Sequence, residues 1–230
     1  MIVYGKNVIK EAILNGRPIY KLYIDQKSTD RKFIEFVENK KIPFEYKDKG
    51  FLNNITNQGI HNGVVADVKD YKIYELDQVI LENKTQKFLM LDEIQDPHNL
   101  GAIMRSAEAT QVDGIIMSKK HQVPLSGVVA KTSSGAIEYV KVIVVSNLHQ
   151  AILKLKEYGH TVVGTSDKAK GNYKDIPKSG NITIIMGNEG VGLRPLIEKN
   201  CDMLVSIPML GKVNSLNVSV ATALLLYELI

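Results

Sequence analysis

Residues 88–94 read Phe-Leu-Met-Leu-Asp-Glu-Ile: four apolar side chains in succession, then two acids. A strand with one wet face alternates apolar and polar positions. A run that is apolar position after position predicts a strand buried on both faces, as in a parallel sheet. The same signature returns at 114–118 (GIIMS), 140–146 (VKVIVVS), 161–166 (TVVGTS), 182–187 (ITIIMG) and 203–209 (MLVSIPM). Helix-like segments near 99–110, 125–134, 148–158, 194–200 and 217–229 separate these runs. Strand and helix alternating at this spacing predict an α/β sandwich. Open sheets of that kind hold ligands beyond the carboxyl ends of their strands, which directs attention to the segments after each run.

Upstream the pattern is more broken. Helical spacing is expected over 5–14 and 31–40, and strands over 19–24, 42–46 and 63–68. Residues 69–86 are polar, with one short amphipathic turn around Leu76–Leu81, and are read as a linker. The division expected is therefore a small unit over 1–68, a linker over 69–86 and a larger α/β unit over 87–230. The chain of 230 residues carries a net charge of +4, and residues 1–70 hold most of it, with 12 Lys and Arg against 9 Asp and Glu. A basic first third on a nearly neutral remainder suggests a binding module joined to a catalytic one, although on charge alone ordinary Lys-rich solvated surface is the readier explanation. With 44% hydrophobic and 23% charged residues the composition is that of an ordinary globular protein. No apolar stretch reaches the ~18 residues of a membrane span, and the charged start MIVYGKNVIKEAI does not read as a signal peptide. A lone Cys201 excludes a disulfide framework, so the cytoplasm is the expected compartment.

Three segments after strands stand out. Residues 92–105 (DEIQDPHNLGAIMR) end a strand in a polar turn, where Asn99 is placed to cap a helix starting at Leu100 and Arg105 falls on its second turn. Residues 186–193 (MGNEGVGL) put three glycines in six positions, allowing close backbone approach and main-chain N–H groups turned to a ligand. They match neither a P-loop nor GxGxxG. Residues 206–219 (SIPMLGKVNSLNVS) run from a strand through a polar loop to a terminal helix that Ser215 or Asn217 caps. The five histidines lack metal-ligand spacing, no Gly-x-Ser-x-Gly elbow exists, and Cys201 reads as a small buried hydrophobe.

In this order the three segments resemble the three motifs of the SpoU/TrmH branch of the SPOUT RNA methyltransferases. N-x-G-A-I-x-R (99–105) is similar to the first, G-N-E-G-x-G (187–192) to the second and S-I-P-M…S-L-N-V-S-x-A to the third, with SSGA (133–136) as a further small-residue segment. Residues 1–68 resemble the L30e-like RNA-binding domain of the bacterial branch that methylates a guanosine ribose in 23S ribosomal RNA. That branch usually has His-Gln-Gly where this chain has His61-Asn62-Gly63.

The resemblance implies a C-terminal SPOUT domain with a mostly parallel sheet and a trefoil knot, a rare exception among chain topologies. It also implies a homodimer whose active site forms where two knots meet, large-subunit ribosomal RNA as the partner, and neither membrane nor metal. The implied reaction moves the methyl of S-adenosylmethionine to a ribose 2′-OH. Gly187, Asn188, Ile207, Met209 and Leu216, with Thr165 as a further wall, would hold the cofactor. Arg105 would act as a charged clamp rather than a base, because a guanidinium hardly deprotonates. Glu189 would orient Arg105 or accept the proton, while Asn99, Ser215 and Asn217 would hold these groups and the ribose. A tRNA or another rRNA nucleotide is the alternative substrate, and a non-catalytic ribosome-assembly factor is the reading from another class. All of this requires segments about ninety residues apart to converge on one pocket beside Arg105.

Overall fold

The computed structural model describes residues 1–230 as two compact units, Met1–Tyr71 with Pro124–Tyr139, and Lys72–Val123 with Val140–Ile230. In chain order the first unit contributes β1 (Ile2–Tyr4), α1 (Lys6–Leu14), β2 (Ile19–Asp25), α2 (Arg31–Asn39), β3 (Glu45–Lys47), α3 (Lys49–Ile55) and β4 (Val64–Val68). The second then begins with β5 (Ile73–Tyr74), β6 (Lys87–Leu91), α4 (Pro97–Ala109) and β7 (Gly114–Ser118). After α5 (Gly127–Thr132), which belongs to the first unit, come β8 (Val142–Val145), α6 (Leu148–Glu157), β9 (Thr161–Thr165) and β10 (Gly171–Asn172). β11 (Ile182–Met186), α7 (Pro195–Glu198), β12 (Met203–Ser206) and α8 (Val218–Tyr227) complete the chain.

The first unit is built on a four-stranded sheet in the order β1-β4-β2-β3, antiparallel except for the β2–β3 edge. Asp30 and Asp48 start α2 and α3 by accepting the amides of Phe33 and Phe51, which satisfies donors that a helix start leaves free. The expected strand at 42–46 forms only from Glu45, after Pro43, which has no N–H to give a ladder. His61 is buried, takes the Gly63 amide on Nδ1 and faces Asn53 with Nε2, whereas Asn62 between them is exposed. The departure from His-Gln-Gly therefore falls on a surface position.

Residues 124–139 belong to this first unit although they lie between β7 and β8. α5 runs against β1, and at Gly127 a Cβ would sit 2.6 Å from the carbonyl oxygen of Ile2. The Arg17 guanidinium lies 3.6 Å from the Tyr71 ring centroid and donates to Glu138 Oε1 at 2.7 Å, both ion-pair side chains being almost fully buried. Asn15 adds a hydrogen bond to the Glu138 carbonyl, and the Tyr139 hydroxyl donates to Glu11.

The second unit holds eight strands in the order β10-β12-β9-β11-β6-β7-β8-β5, every neighbouring pair parallel. Phe88, Met90, Ile116, Ile143, Ile152, Leu155, Val162 and Ile185 form its core. Each such burial contributes about 1.5–3 kcal/mol, so the apolar runs read from the sequence are what holds the sheet. Residues 69–86 carry more structure than a linker: β5 extends the sheet beside β8, and Leu76, Val79 and Ile80 are buried in the core. No helix is long and apolar enough to cross a membrane.

Candidate functional site at the carboxyl ends of the central strands

β6 and β11 are adjacent at the centre of the second unit's sheet, and the segments leaving their carboxyl ends form the site. After β6 the chain turns through Glu93, which holds a left-handed φ of 64°, to Asp96. Asp96 caps α4 by accepting the His98 amide, with Pro97 at the first helical position. The expected cap at Asn99 is thus corrected. Pro97 starts the helix three residues earlier than Leu100 and leaves the Asn99 carboxamide, buried in the first turn, available for other contacts.

Those contacts make a relay. Asn99 Nδ2 donates to Glu189 Oε1, and Asn99 Oδ1 accepts from Asn217 Nδ2 at 3.0 Å. Asn217 Oδ1 in turn caps α8, taking the Ser219 amide at 2.9 Å and the Ser219 hydroxyl at 2.6 Å. Of the two candidate caps it is Asn217, not Ser215, that starts this helix. The cap fixes which end of the Asn217 amide points at Asn99, and Asn99 then presents its N–H group to the carboxylate. Residues 90 and 118 positions from Asn99 in the chain meet on its one side chain.

Glu189 stands at the tip of a narrow turn. Asn188 and Gly192 pair through both backbone bonds, at 3.1 and 2.9 Å, and the Gly190 amide donates to Asn188 Oδ1. Gly187 permits this closure, since a Cβ there would lie 2.3 Å from the Gly192 carbonyl carbon. The turn forms one wall of a cavity of about 820 Å³, within the range of small-molecule sites. Gly187, Asn188, Ile207, Met209, Leu216 and Thr165 all line it, as do Glu189 and Ser215. Its surface combines main-chain groups of the glycine turn with Ile207, Met209 and Leu216, which suits a flat heteroaromatic ring joined to a polar chain.

Arg105 is not among these residues. It is exposed, six positions along α4 from Asn99, and about 240° further round the helix. The cavity of its own chain does not reach it. The expected convergence therefore holds for Asn99, Glu189 and Asn217 and fails for Arg105 within one chain. Cys201 is half-buried, and burial pushes its thiol up to about 12, in keeping with a packing role.

The sequence reading missed Asp92 and Arg194. Asp92 is fully buried and accepts from the Arg194 amide at 3.1 Å and from its Nε at 2.8 Å. A sequence model of the SpoU rRNA methylase family matches residues 86–227, the span that carries all of this geometry.

The chain belongs to the SpoU rRNA methylase family.

A second model, described as RNA 2′-O ribose methyltransferase substrate binding, matches residues 2–74. A SpoU methylase of this kind is an RNA ribose 2′-O-methyltransferase, and its methyl donor is S-adenosylmethionine. The chain is 40% identical over 233 residues to YacO of Bacillus subtilis, named in the TrmH family of tRNA/rRNA methyltransferases, covering 98% of this chain and 93% of that one. A Staphylococcus aureus protein named in the same family is 38% identical over 234 residues, covering 99% and 94%. Among solved structures, an AdoMet-bound rRNA methyltransferase from Sinorhizobium meliloti aligns with a TM-score of 0.82 and 25% identity over 99% of this chain and 85% of that one. AviRb from Streptomyces viridochromogenes, a SpoU methyltransferase solved with AdoMet, aligns with a TM-score of 0.83 and 24% identity over 100% and 88%, a likeness of fold.

Proposed function

We propose that this SpoU methylase methylates the ribose 2′-OH of a guanosine in 23S ribosomal RNA and works as a knotted homodimer in the cytoplasm. The observation that carries the catalytic part is the Glu189–Asn99–Asn217 relay on the rim of a cavity lined by the glycine turn. Ribosomal RNA is favoured by the rRNA methylase family match over 86–227 and by the rRNA methyltransferase from S. meliloti among the structural neighbours. A tRNA ribose is the second reading, because the curated relatives are named for both substrates.

The cavity residues fit the methyl donor: Gly187 and Asn188 would offer main-chain groups, while Ile207, Met209 and Leu216 would enclose the adenine and Thr165 would close one side. The bound sulfonium supplies an already activated methyl group, so the protein has to align the reactants and remove one proton. Alignment is worth on the order of 7–11 kcal/mol when reacting atoms are held in line. Glu189 receives the Asn99 N–H on Oε1, which leaves Oε2 free to take the proton of the 2′-OH. Ser215, also on the wall, would hold the ribose.

A guanidinium keeps its proton and cannot serve as the base, so Arg105 acts as a charge on the phosphate and the developing alkoxide. We assign it to the cavity of a second copy. α8 is apolar on all sides, and Val220, Leu224 and Tyr227 on its outer face are exposed, a surface that a second copy would cover. α4, which carries Arg105, packs on α8.

The test is transfer of labelled methyl to 23S RNA and to tRNA from cells lacking the chain, followed by mapping of the modified nucleotide. A 2′-O-methylguanosine in 23S RNA is expected; label in tRNA alone would overturn the substrate assignment. Arg105→Ala and Glu189→Gln should each be inactive alone. Mixed in one sample they should recover part of the activity, because one mixed dimer contains one cavity with both native groups. No recovery would place Arg105 outside the reaction or within its own chain's site.

A further inference from the structure

We propose that Arg194 is a positioning residue for methyl transfer: it straps the turn after β6 to the turn after β11 and so holds Glu189 against Asn99. The inference rests on the reading of Glu189 and Asn99 as catalytic residues. The guanidinium uses three nitrogens on two acids. Nε and a terminal nitrogen meet Asp92 Oδ1 at 2.8 and 2.6 Å, and the other terminal nitrogen lies 3.3 Å from Glu93 Oε1. The Arg194 amide adds a bond to Asp92 Oδ2 at 3.1 Å. These contacts join Arg194 to a pair of residues of which Asp92 stands 102 positions earlier in the chain.

Asp92 is fully buried at the end of β6, so the strap is anchored in the sheet rather than on a mobile surface. Glu93, whose carboxylate Arg194 holds, adopts a left-handed conformation that a residue with a side chain adopts only when its surroundings fix it. Its carbonyl then accepts from Asn188 Nδ2 at 2.9 Å, and Asn188 Oδ1 takes the Gly190 amide at 2.9 Å. Asn188 and Gly190 flank Glu189. Arg194 thus fixes Glu93, Glu93 fixes Asn188, and Asn188 fixes the turn whose tip meets Asn99. A lysine supplies one nitrogen at this place and not a planar fork, so it cannot hold both acids in this geometry.

The test compares the full-length wild type with Arg194→Lys and Glu93→Gln. The first keeps a cation beside buried Asp92, and the second leaves the Asp92 pair intact, so both are expected to fold. Single-turnover methyl transfer at saturating RNA and cofactor should fall about ten- to a hundredfold, the scale of a small misplacement of reacting groups. The melting temperature should stay at the wild-type value, and affinity for S-adenosylmethionine, which the same turn would hold, should weaken by less than the transfer rate falls. Amide hydrogen exchange at Gly190 and Gly192 should quicken while that of β6 and β11 does not change. A merely structural role predicts the reverse, with faster exchange along the strands, a lower melting temperature and an unchanged rate per folded molecule. Wild-type transfer with either variant folded overturns the proposal. Quickened exchange with an unchanged rate overturns it alone, whereas a Glu189→Gln variant as fast as wild type overturns the catalytic reading beneath it.

Discussion

Asn99 uses both ends of one carboxamide, and the two ends face different partners: the oxygen receives Asn217 and the nitrogen faces Glu189. Removing Asn217 therefore does two things. Asn217→Ala strips the cap from α8, which costs about 1 kcal/mol, and frees the Asn99 amide to turn. For a protein of this size the melting temperature should fall by about 2–4 °C, as a thermal melt would show. Methyl transfer should fall far more than that small destabilisation accounts for. Two histidines make a prediction of another kind. Burial holds the imidazoles of His61 and His160 below their ordinary value of about 6.5. Gly63 donates to His61 Nδ1, so a proton there would meet an N–H group. His160 stacks on Phe88 and bonds Thr183 through Nδ1. Because the folded pKa lies below the unfolded one, the unfolded chain takes up protons first as the pH drops. The stabilisation is complete above about 6.5 and is lost below it, down to the folded pKa. Denaturant titrations between pH 7.5 and about 5 should show stability declining, and His160→Phe should flatten that decline.

Among the elements, the glycine turn is the least tolerant of change. Gly187→Ala must push the Gly192 backbone away, because 2.3 Å is far inside contact distance. The main-chain wall of the cavity moves with it. Affinity for S-adenosylmethionine, measured by calorimetry, should weaken at least about tenfold, or ~1.4 kcal/mol, while β11, which ends one residue earlier, stays in place. That turn was readable from three glycines after an apolar run, and the central strands were readable from their unbroken hydrophobicity, since local composition fixes both. α4 was readable in kind and misjudged at its start. Asp96-Pro97 is itself a cap followed by a first-turn proline, and it outranks Asn99 as a start signal. α3 was overlooked although Asp48 precedes Phe51, Leu52 and Ile55 at helical spacing. β5 and β10 are two residues each, too short for any periodicity, and exist only because longer strands lie beside them. Arg194 carried no local signal, since its main partner Asp92 stands 102 residues earlier in the chain. The relay at Asn99 was nameable only as separate motifs, and the position of Arg105 outside its own cavity follows from helix geometry that spacing to a distant loop does not reveal.

For the molecule as a whole, the division into units differs from a cut at one point in the chain. Val129, Ala130 and Ile137 are buried in the first unit, although they are encoded between β7 and β8 of the second. Deleting residues 1–68 alone therefore uncovers them. It also removes Arg17, the cation that pairs with Glu138. We expect that truncation to yield aggregating protein. A deletion that also replaces 124–139 with a short Gly/Ser segment should give a soluble, cooperatively melting second unit with reduced RNA affinity. A stable, monodisperse product from the simple truncation would refute this, and light scattering with a thermal melt decides it. The same excursion sets an order on biosynthesis. When the first 71 residues have left the translating ribosome, α5 and Glu138 have not yet been made, and the Arg17 charge has no carboxylate to meet. The nascent chain must then emit β6 and β7, two sticky strands whose neighbours β8 and β11 are still uncoded, before the earlier unit can close. The first unit can close once Tyr139 has been made and the second only with the residues up to Ile230, so a pause or premature stop before Tyr139 leaves both unfinished at once.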